Sequence, residues 1–178
     1  MRMGNGKIRL FAAILPDDAT VAALRNAARE LRADCLRGNF VPPENYHVTL
    51  AFIGETAEAE KAAEAVRAVE AAPFTLTLAK VGKFSRTRGD IYWYGVRVSA
   101  ALEALYAEAQ TELTARGFEL EKRAFRPHVT LARDVVRKSN KEIQAPEICF
   151  KVSAIALMPS DRIDGRLVYS PVEIKELH

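Results

Sequence analysis

The sequence predicts an α+β protein built as two pseudo-symmetric lobes. Each lobe is an antiparallel sheet with helices on its outside, and the two face one another across a central cleft. Three observations carry this prediction. Segments with strand-like apolar runs or period-two alternation are interleaved with segments of helical period. The order strand–helix–strand occurs twice: Ile8, Asp17 and His47 mark one copy, Ile91, Ala101 and His128 the other, offset by 83 positions at the strands and 81 at the histidines. The tetrapeptide His-Val-Thr-Leu closes both copies, at 47–50 and 128–131. So long a period is a duplication and not a solenoid array.

Lys7 to Leu15 reads as a strand that becomes apolar on both faces. Pro16-Asp17-Asp18 then supplies a helix start, with carboxylates where first-turn amides need them. Val21, Leu24, Ala27, Ala28 and Leu31 follow at helical spacing, and the helix is expected to reach about Leu36 and stop near Gly38. Val41-Pro42-Pro43-Glu44-Asn45 is a stiff connector, because two prolines fix φ and remove donors. Tyr46 to Ile53 reads as a strand ending at Gly54, and Thr56 to Glu70 as a helix ended by Pro73.

Phe74 to Leu78 alternates as a half-buried strand. Gly82 to Asp90, with Lys83, Arg86 and Arg88, reads as a basic loop before a strand from Ile91 to Val98 that carries Tyr92, Trp93 and Tyr94 as sheet residues. Ala101 to Arg116 is an amphipathic helix with Gly117 as its stop. Arg126-Pro127 leads into a strand from His128 to about Arg133, followed by a polar, basic segment to Ala145. Ile148 to Met158 and Leu167 to Ile174 read as two late strands, with turns at Pro159-Ser160-Asp161 and Asp164-Gly165. His178 is expected to fray.

Of the 178 residues, 49% are hydrophobic and 28% charged, which excludes fibrous and wholly disordered classes. The length suits one domain, taken as 1–178, made of two intertwined lobes. Two cysteines, Cys35 and Cys149, are too few for a disulfide framework and point to a reducing, cytoplasmic compartment. The first apolar run is too short for a signal peptide or membrane span. A net charge of +3 does not by itself mark a nucleic-acid binder.

Two of only three histidines lie in the repeated tetrapeptide, and the chain has just nine threonines. On a strand, positions i and i+2 share a face. His47 therefore lies beside Thr49, and His128 beside Thr130, with Val48, Leu50, Val129 and Leu131 on the opposite, apolar side. Two imidazoles brought together across a pseudo-two-fold can act as one acid and one base. The hydroxyls beside them can donate to non-bridging anionic oxygens. That geometry suits in-line displacement at a phosphodiester. The bland alternative, two satisfied strand histidines copied by duplication, is disfavoured by the pairing. No phosphate-binding glycine loop, nucleophile motif or third metal ligand stands out.

At these residues the chain resembles the 2H phosphoesterase superfamily, named for its two H-x-T/S-x motifs. More closely it is similar to the RNA 2′,3′-cyclic phosphodiesterase family, formerly called 2′-5′ RNA ligases. The likeness runs through Arg9 to Ala13, Val41 to Glu55, Gly82 to Val96 and Phe125 to Arg133, with Tyr46 and Val48 as departures where leucine is frequent. The resemblance implies metal-independent hydrolysis of RNA 2′,3′-cyclic phosphate ends to 2′-phosphomonoesters without a cofactor, and reverse 2′-5′ ligation as a minor activity. It implies His47 as proton donor and His128 as proton acceptor, with Thr49, Thr130 and Arg133 on the phosphate.

Arg133, five positions after His128, falls on the wrong face of a regular strand, so it joins the site only if the strand bends near Ala132; a solvated strand end is the alternative. Phe52 has the same offset from His47. The resemblance makes it a base-stacking candidate, against core packing. Arg126 is a candidate RNA contact, against plain surface charge. Lys83, Arg86, Arg88, Arg123, Arg137, Lys138 and Lys141 form a candidate electrostatic rim. The expected partners are RNAs or nucleotides with cyclic phosphate ends, such as cleaved tRNA, with no membrane and a monomeric state. The rival of another class is an RNA- or nucleotide-binding module that kept the cleft without turnover.

Overall fold

The structure, a computed structural model, describes residues 6–163, 166–168 and 170–178. In chain order its elements are β1 (Ile8–Ile14), α1 (Asp18–Ala33), β2 (Cys35–Phe40), a 3-10 turn (Pro43–Asn45), β3 (Val48–Thr56), α2 (Ala59–Arg67), β4 (Phe74–Phe84), β5 (Asp90–Val96), α3 (Ala100–Ala115), β6 (His128–Arg137), β7 (Ile148–Val152), β8 (Ala154–Pro159), β9 (Asp161–Ile163), β10 (Arg166–Val168) and β11 (Glu173–Glu176). Two antiparallel sheets dominate, in the orders β11-β8-β1-β3 and β2-β6-β5-β4-β7, with β9 and β10 as a separate ribbon.

The internal echo is realised as pairing. β1 pairs with β3 in the first sheet, and β5 pairs with β6 in the second. The helix between each pair packs on the other sheet: α1 touches β2, β6 and β7, whereas α3 touches β3 and α2. α2 covers β1, β8 and β11. One apolar core runs through all of this, from Leu24 and Ala62 to Leu105, and includes Val48, Leu50, Val129 and Leu131. Each fully buried leucine contributes about 1.5–3 kcal/mol.

Local chemistry explains the helix ends. The Asp17 carboxylate accepts from the Thr20 amide at 2.8 Å, which starts α1 and holds its own pKa below the ordinary value. Ser99 caps α3 in the same way, and Gly117 ends it at φ +84°. No helix among the described residues is long and apolar enough to cross a membrane.

Several expectations shift. α1 ends at Ala33, three residues early, because Cys35–Phe40 form the edge strand β2 against β6. The polar stretch after Arg133 is in part strand, since β6 runs to Arg137 to meet β2. The expected basic loop is shorter, since Gly82 to Phe84 belong to β4 and Asp90 to β5, which leaves residues 85–89, with Arg86 and Arg88, as the turn between them. The expected strand Ile148–Met158 breaks at Ser153, where the chain crosses from β7 in one sheet to β8 in the other. The last expected strand is two, β10 and β11, and the turn expected at Asp164-Gly165 lies outside the described residues. The His178 amide, expected to fray, bonds to the Ala71 carbonyl at 3.1 Å.

Candidate active site

β3 is the edge of its sheet and β6 lies one strand in from the edge of the other; the two are in contact across the molecule. Along both, burial follows the predicted alternation. Val48, Leu50, Val129 and Leu131 are buried in the common core, whereas His47, Thr49, His128 and Thr130 are half-buried on the opposite face.

The two histidines are held alike. His47 Nδ1–H donates to the Asn45 carbonyl at 2.7 Å, and His128 Nδ1–H to the Arg126 carbonyl at 2.7 Å. Each carbonyl lies two residues before its histidine, and each bond fixes the tautomer that keeps the lone pair of the neutral ring on Nε2. The double-proline connector shapes the first of these supports: the Asn45 amide bonds to Pro42 and the Tyr46 amide to Pro43, and both Asn45 and Tyr46 are buried. Burial pushes the Tyr46 hydroxyl up to about 12.

A phenyl ring flanks each imidazole. Phe11 lies 4.7 Å from His47, and Phe84 meets His128 edge-on at 5.3 Å, with Trp93 at 6.1 Å. Trp93 lies flat over Gly82, where a Cβ would stand 2.2 Å from the indole ring. The alternation of β5 turns Tyr92 and Tyr94 to the core.

Burial is the main cause that lowers the pKa of both imidazoles, and the backbone carbonyls work against it. The charge of His128, then that of Arg133, lowers His47 further. Arg133 and Arg123 do the same to His128. The two imidazoles are thus within electrostatic reach of one another, and Arg133 of both.

The odd offsets of Phe52 and Arg133 have one cause. On β3, Thr49 pairs with Ala13 and Ala51 with Ala12, so Leu50 is an extra residue. On β6, Thr130 pairs with Trp93 and Ala132 with Tyr92, so Leu131 is extra. The same one-residue bulge in each copy buries two consecutive residues and returns the fifth position after the histidine to the open side. Phe52 is accordingly 47% exposed, 6.4 Å from Phe11, and Arg133 is exposed. From α3, Gln110 Nε2 donates to the carbonyl of the extra residue Leu50 at 3.1 Å.

Arg126 is exposed, and its backbone carbonyl is what holds His128. The candidate rim divides. Arg123 reaches the histidine side, with its guanidinium carbon 5.7 Å from the Phe52 ring centre. Lys83, Arg86, Arg88, Arg137 and Lys138 gather elsewhere, and Lys141 offers its carbonyl to Arg137. Sequence reasoning missed Phe11, Phe84 and Gln110. Phe11 sits at a strand position that reads as core, Phe84 falls in the stretch read as a basic loop, and no residue pattern marks Gln110. Among the described residues, no three of His, Cys, Asp and Glu converge as metal ligands.

The chain is similar to proteins already known. The RNA 2′,3′-cyclic phosphodiesterase of Thermotoga maritima is 30% identical over 88% of this chain and 91% of its own length. That of Geobacillus stearothermophilus is 43% identical, but over 53% of this chain and 32% of the relative, so the match spans about a third of that protein. The crystal structure of Escherichia coli LigT with 3′-AMP superposes with a TM-score of 0.76 at 31% identity, covering 96% of this chain and 98% of that one. The profile of the 2′-5′ RNA ligase superfamily matches residues 16–164, nearly the whole of both histidine-bearing copies, and this chain belongs to that superfamily.

Proposed function

We propose that the protein is an RNA 2′,3′-cyclic phosphodiesterase, which opens the cyclic phosphate at an RNA 3′ end to a 2′-phosphomonoester. The observation that carries this is the duplicated H-V-T-L strand with the same backbone restraint on each imidazole. A binding module needs no pair of titratable rings locked in one tautomer. The names of the relatives support the same activity.

His128 Nε2 takes a proton from water as the water oxygen bonds to phosphorus. The P–O3′ bond breaks, and protonated His47 gives its proton to the departing 3′ oxygen. Pair symmetry does not choose between the two roles; the superfamily resemblance does. Thr49, Thr130 and Arg133 hold the non-bridging oxygens as negative charge builds. Phe52, backed by Phe11 and faced by Arg123, offers a stacking surface for the terminal base, and the exposed Arg126 is a further RNA contact. The same ring opening with a 5′-hydroxyl in place of water gives a 2′-5′ linkage, but water at high concentration makes hydrolysis the main outcome. The shared core supports reading residues 1–178 as one domain of two intertwined lobes, and we take it to act as a cytoplasmic monomer on substrates such as cleaved tRNA.

The test is release of a 2′-phosphomonoester from a 2′,3′-cyclic nucleotide in the presence of EDTA. His47→Ala and His128→Ala should each lower turnover by about 10²–10⁴-fold. A folded protein with no product between about pH 5 and 9, a range spanning the ordinary imidazole pKa, is the binding module instead.

A further inference from the structure

Six cationic side chains meet at the end of the five-stranded sheet remote from His128. Arg37 comes from β2, Lys83 from the end of β4, Arg86 and Arg88 from the turn into β5, and Arg137 and Lys138 from the end of β6. They line an open concavity of about 490 Å³ whose one carboxylate is Asp90. His128 and Arg137 stand at opposite ends of β6, at most about 30 Å apart along an extended chain. None of the residues that line the concavity is among those found around His47 and His128.

Its charges fall into two groups. Lys83 pairs with Asp90 at 2.7 Å and Arg137 with Asp34 at 2.6 Å, so these two pin the hairpin and the strand end. Among the described residues, Arg37, Arg86, Arg88 and Lys138 have no carboxylate within ion-pair distance. Backbone carbonyls hold two of them in place: Arg37 donates to Arg88 O at 2.8 Å and Lys138 to Ala33 O at 3.3 Å. The turn that carries Arg86 and Arg88 rests on β6. Gly89 has φ +135°, and a Cβ there would lie 2.5 Å from the Asp134 carbonyl carbon, so only glycine lets the two backbones approach.

Four like charges with no ion-pair partner of their own repel one another, and the arrangement becomes favourable when an anion lies among them. Several cations spread over one concavity suit a row of phosphates better than a single one. The lining offers hydroxyl and amide groups from Thr87, Ser139 and Asn140, and its one aromatic ring, Tyr92, is buried. Such a surface grips backbone and reads no bases.

We infer that this concavity is a second binding site, for the ribose-phosphate backbone of an RNA whose cyclic end lies between the histidines. The inference deepens the phosphodiesterase reading and rests on it for the identity of the ligand. The test compares Arg37→Gln/Arg86→Gln/Arg88→Gln with a control of equal charge change, Lys61→Gln/Arg67→Gln/Lys151→Gln, on α2 and the opposite edge strand β7. The probes are a 2′,3′-cyclic mononucleotide and a single-stranded RNA long enough to span both sites, of about sixteen nucleotides, ending in a 2′-phosphate.

The first variant should bind the RNA at least tenfold more weakly at low salt, with its log–log salt slope reduced by about 2, near 0.7 per lost phosphate contact. Its KM for the cyclic mononucleotide should stay within about twofold of the parent, because that ligand makes no contact with these groups. Arg86→Gln/Arg88→Gln, confined to the exposed turn, should give about two-thirds of the slope change. Unchanged RNA binding, or equal weakening by the control, overturns the site. Failure of the parent protein to hydrolyse the mononucleotide overturns the phosphodiesterase reading instead, and the RNA-binding comparison still decides the concavity.

Discussion

An imidazole whose Nδ1–H is held by a carbonyl two residues back exchanges its working proton through Nε2. His47 and His128 share this restraint, so the reaction direction is set by which ring is protonated and not by different tautomers. Both folded pKa values lie below the ordinary 6.5, chiefly through burial, and the charge of His128 lowers that of His47 further. The required state has one ring neutral and the other protonated. Raising the pH through the lowered values empties the acid, and lowering it fills the base. kcat/KM should therefore be bell-shaped with its maximum on the acid side of 6.5. A profile still rising above about pH 7, beyond the range of a depressed imidazole, would overturn this assignment. Arg133→Gln should move both limbs to higher pH, because its charge lowers both rings.

The strands add what no single residue supplies, and here sequence pattern succeeded in part. Period-two reasoning places Thr49 beside His47 and Thr130 beside His128, because both pairs precede the bulges. It fails at Phe52 and Arg133, where Leu50 and Leu131 break the count. Two consecutive buried residues, Leu50-Ala51 and Leu131-Ala132, each followed by an exposed one, are the trace of the bulge. Without pairing partners they read as ordinary strand core. β2 was hidden for a related reason. Cys35-Leu36-Arg37-Gly38-Asn39-Phe40 has no apolar alternation, and its strand form rests on β6, about a hundred residues away. The crossing at Ser153 is better marked, since alternation in β7 gives way there to a run in β8 that is buried throughout from Ile155 to Pro159.

Gln110 secures the β3 bulge from outside the sheet, so Gln110→Leu leaves the Leu50 carbonyl short of a partner at a cost of about 1 kcal/mol or more. A loss of this size lowers Tm by about 2–4 °C. The displaced Phe52 should raise KM for a cyclic nucleotide more than it lowers kcat. An unchanged Tm and KM would show that the bulge stands without this bond.

At the scale of the whole molecule, the exchanged helices decide how the cleft is held. α1 leaves the four-stranded sheet to pack on the five-stranded one, and α3 makes the return journey, so each lobe is backed by a helix of the other copy. The lobes then cannot part without opening the common core, and the separation of β3 from β6 is fixed by folding itself. Half-burying two histidines in such a cleft has a stability consequence with a definite sign. Their folded pKa values are depressed, so between the unfolded value of 6.5 and the lower folded ones the unfolded chain binds more protons. Stability is full above 6.5 and is lost as pH falls through the folded values. The carboxylates Asp17, Asp34 and Asp90 are also depressed, but from 3.8, which leaves the upper window to the histidines. Thermal melts should therefore show Tm falling between about pH 7 and pH 5, across the imidazole range. His47→Gln/His128→Gln should flatten that fall. In the parent, a 2′-nucleotide should offset it, because a bound phosphate favours the protonated rings and binds only the folded state. A fall of equal steepness in the double variant would mean that the imidazoles are not the groups the fold holds neutral.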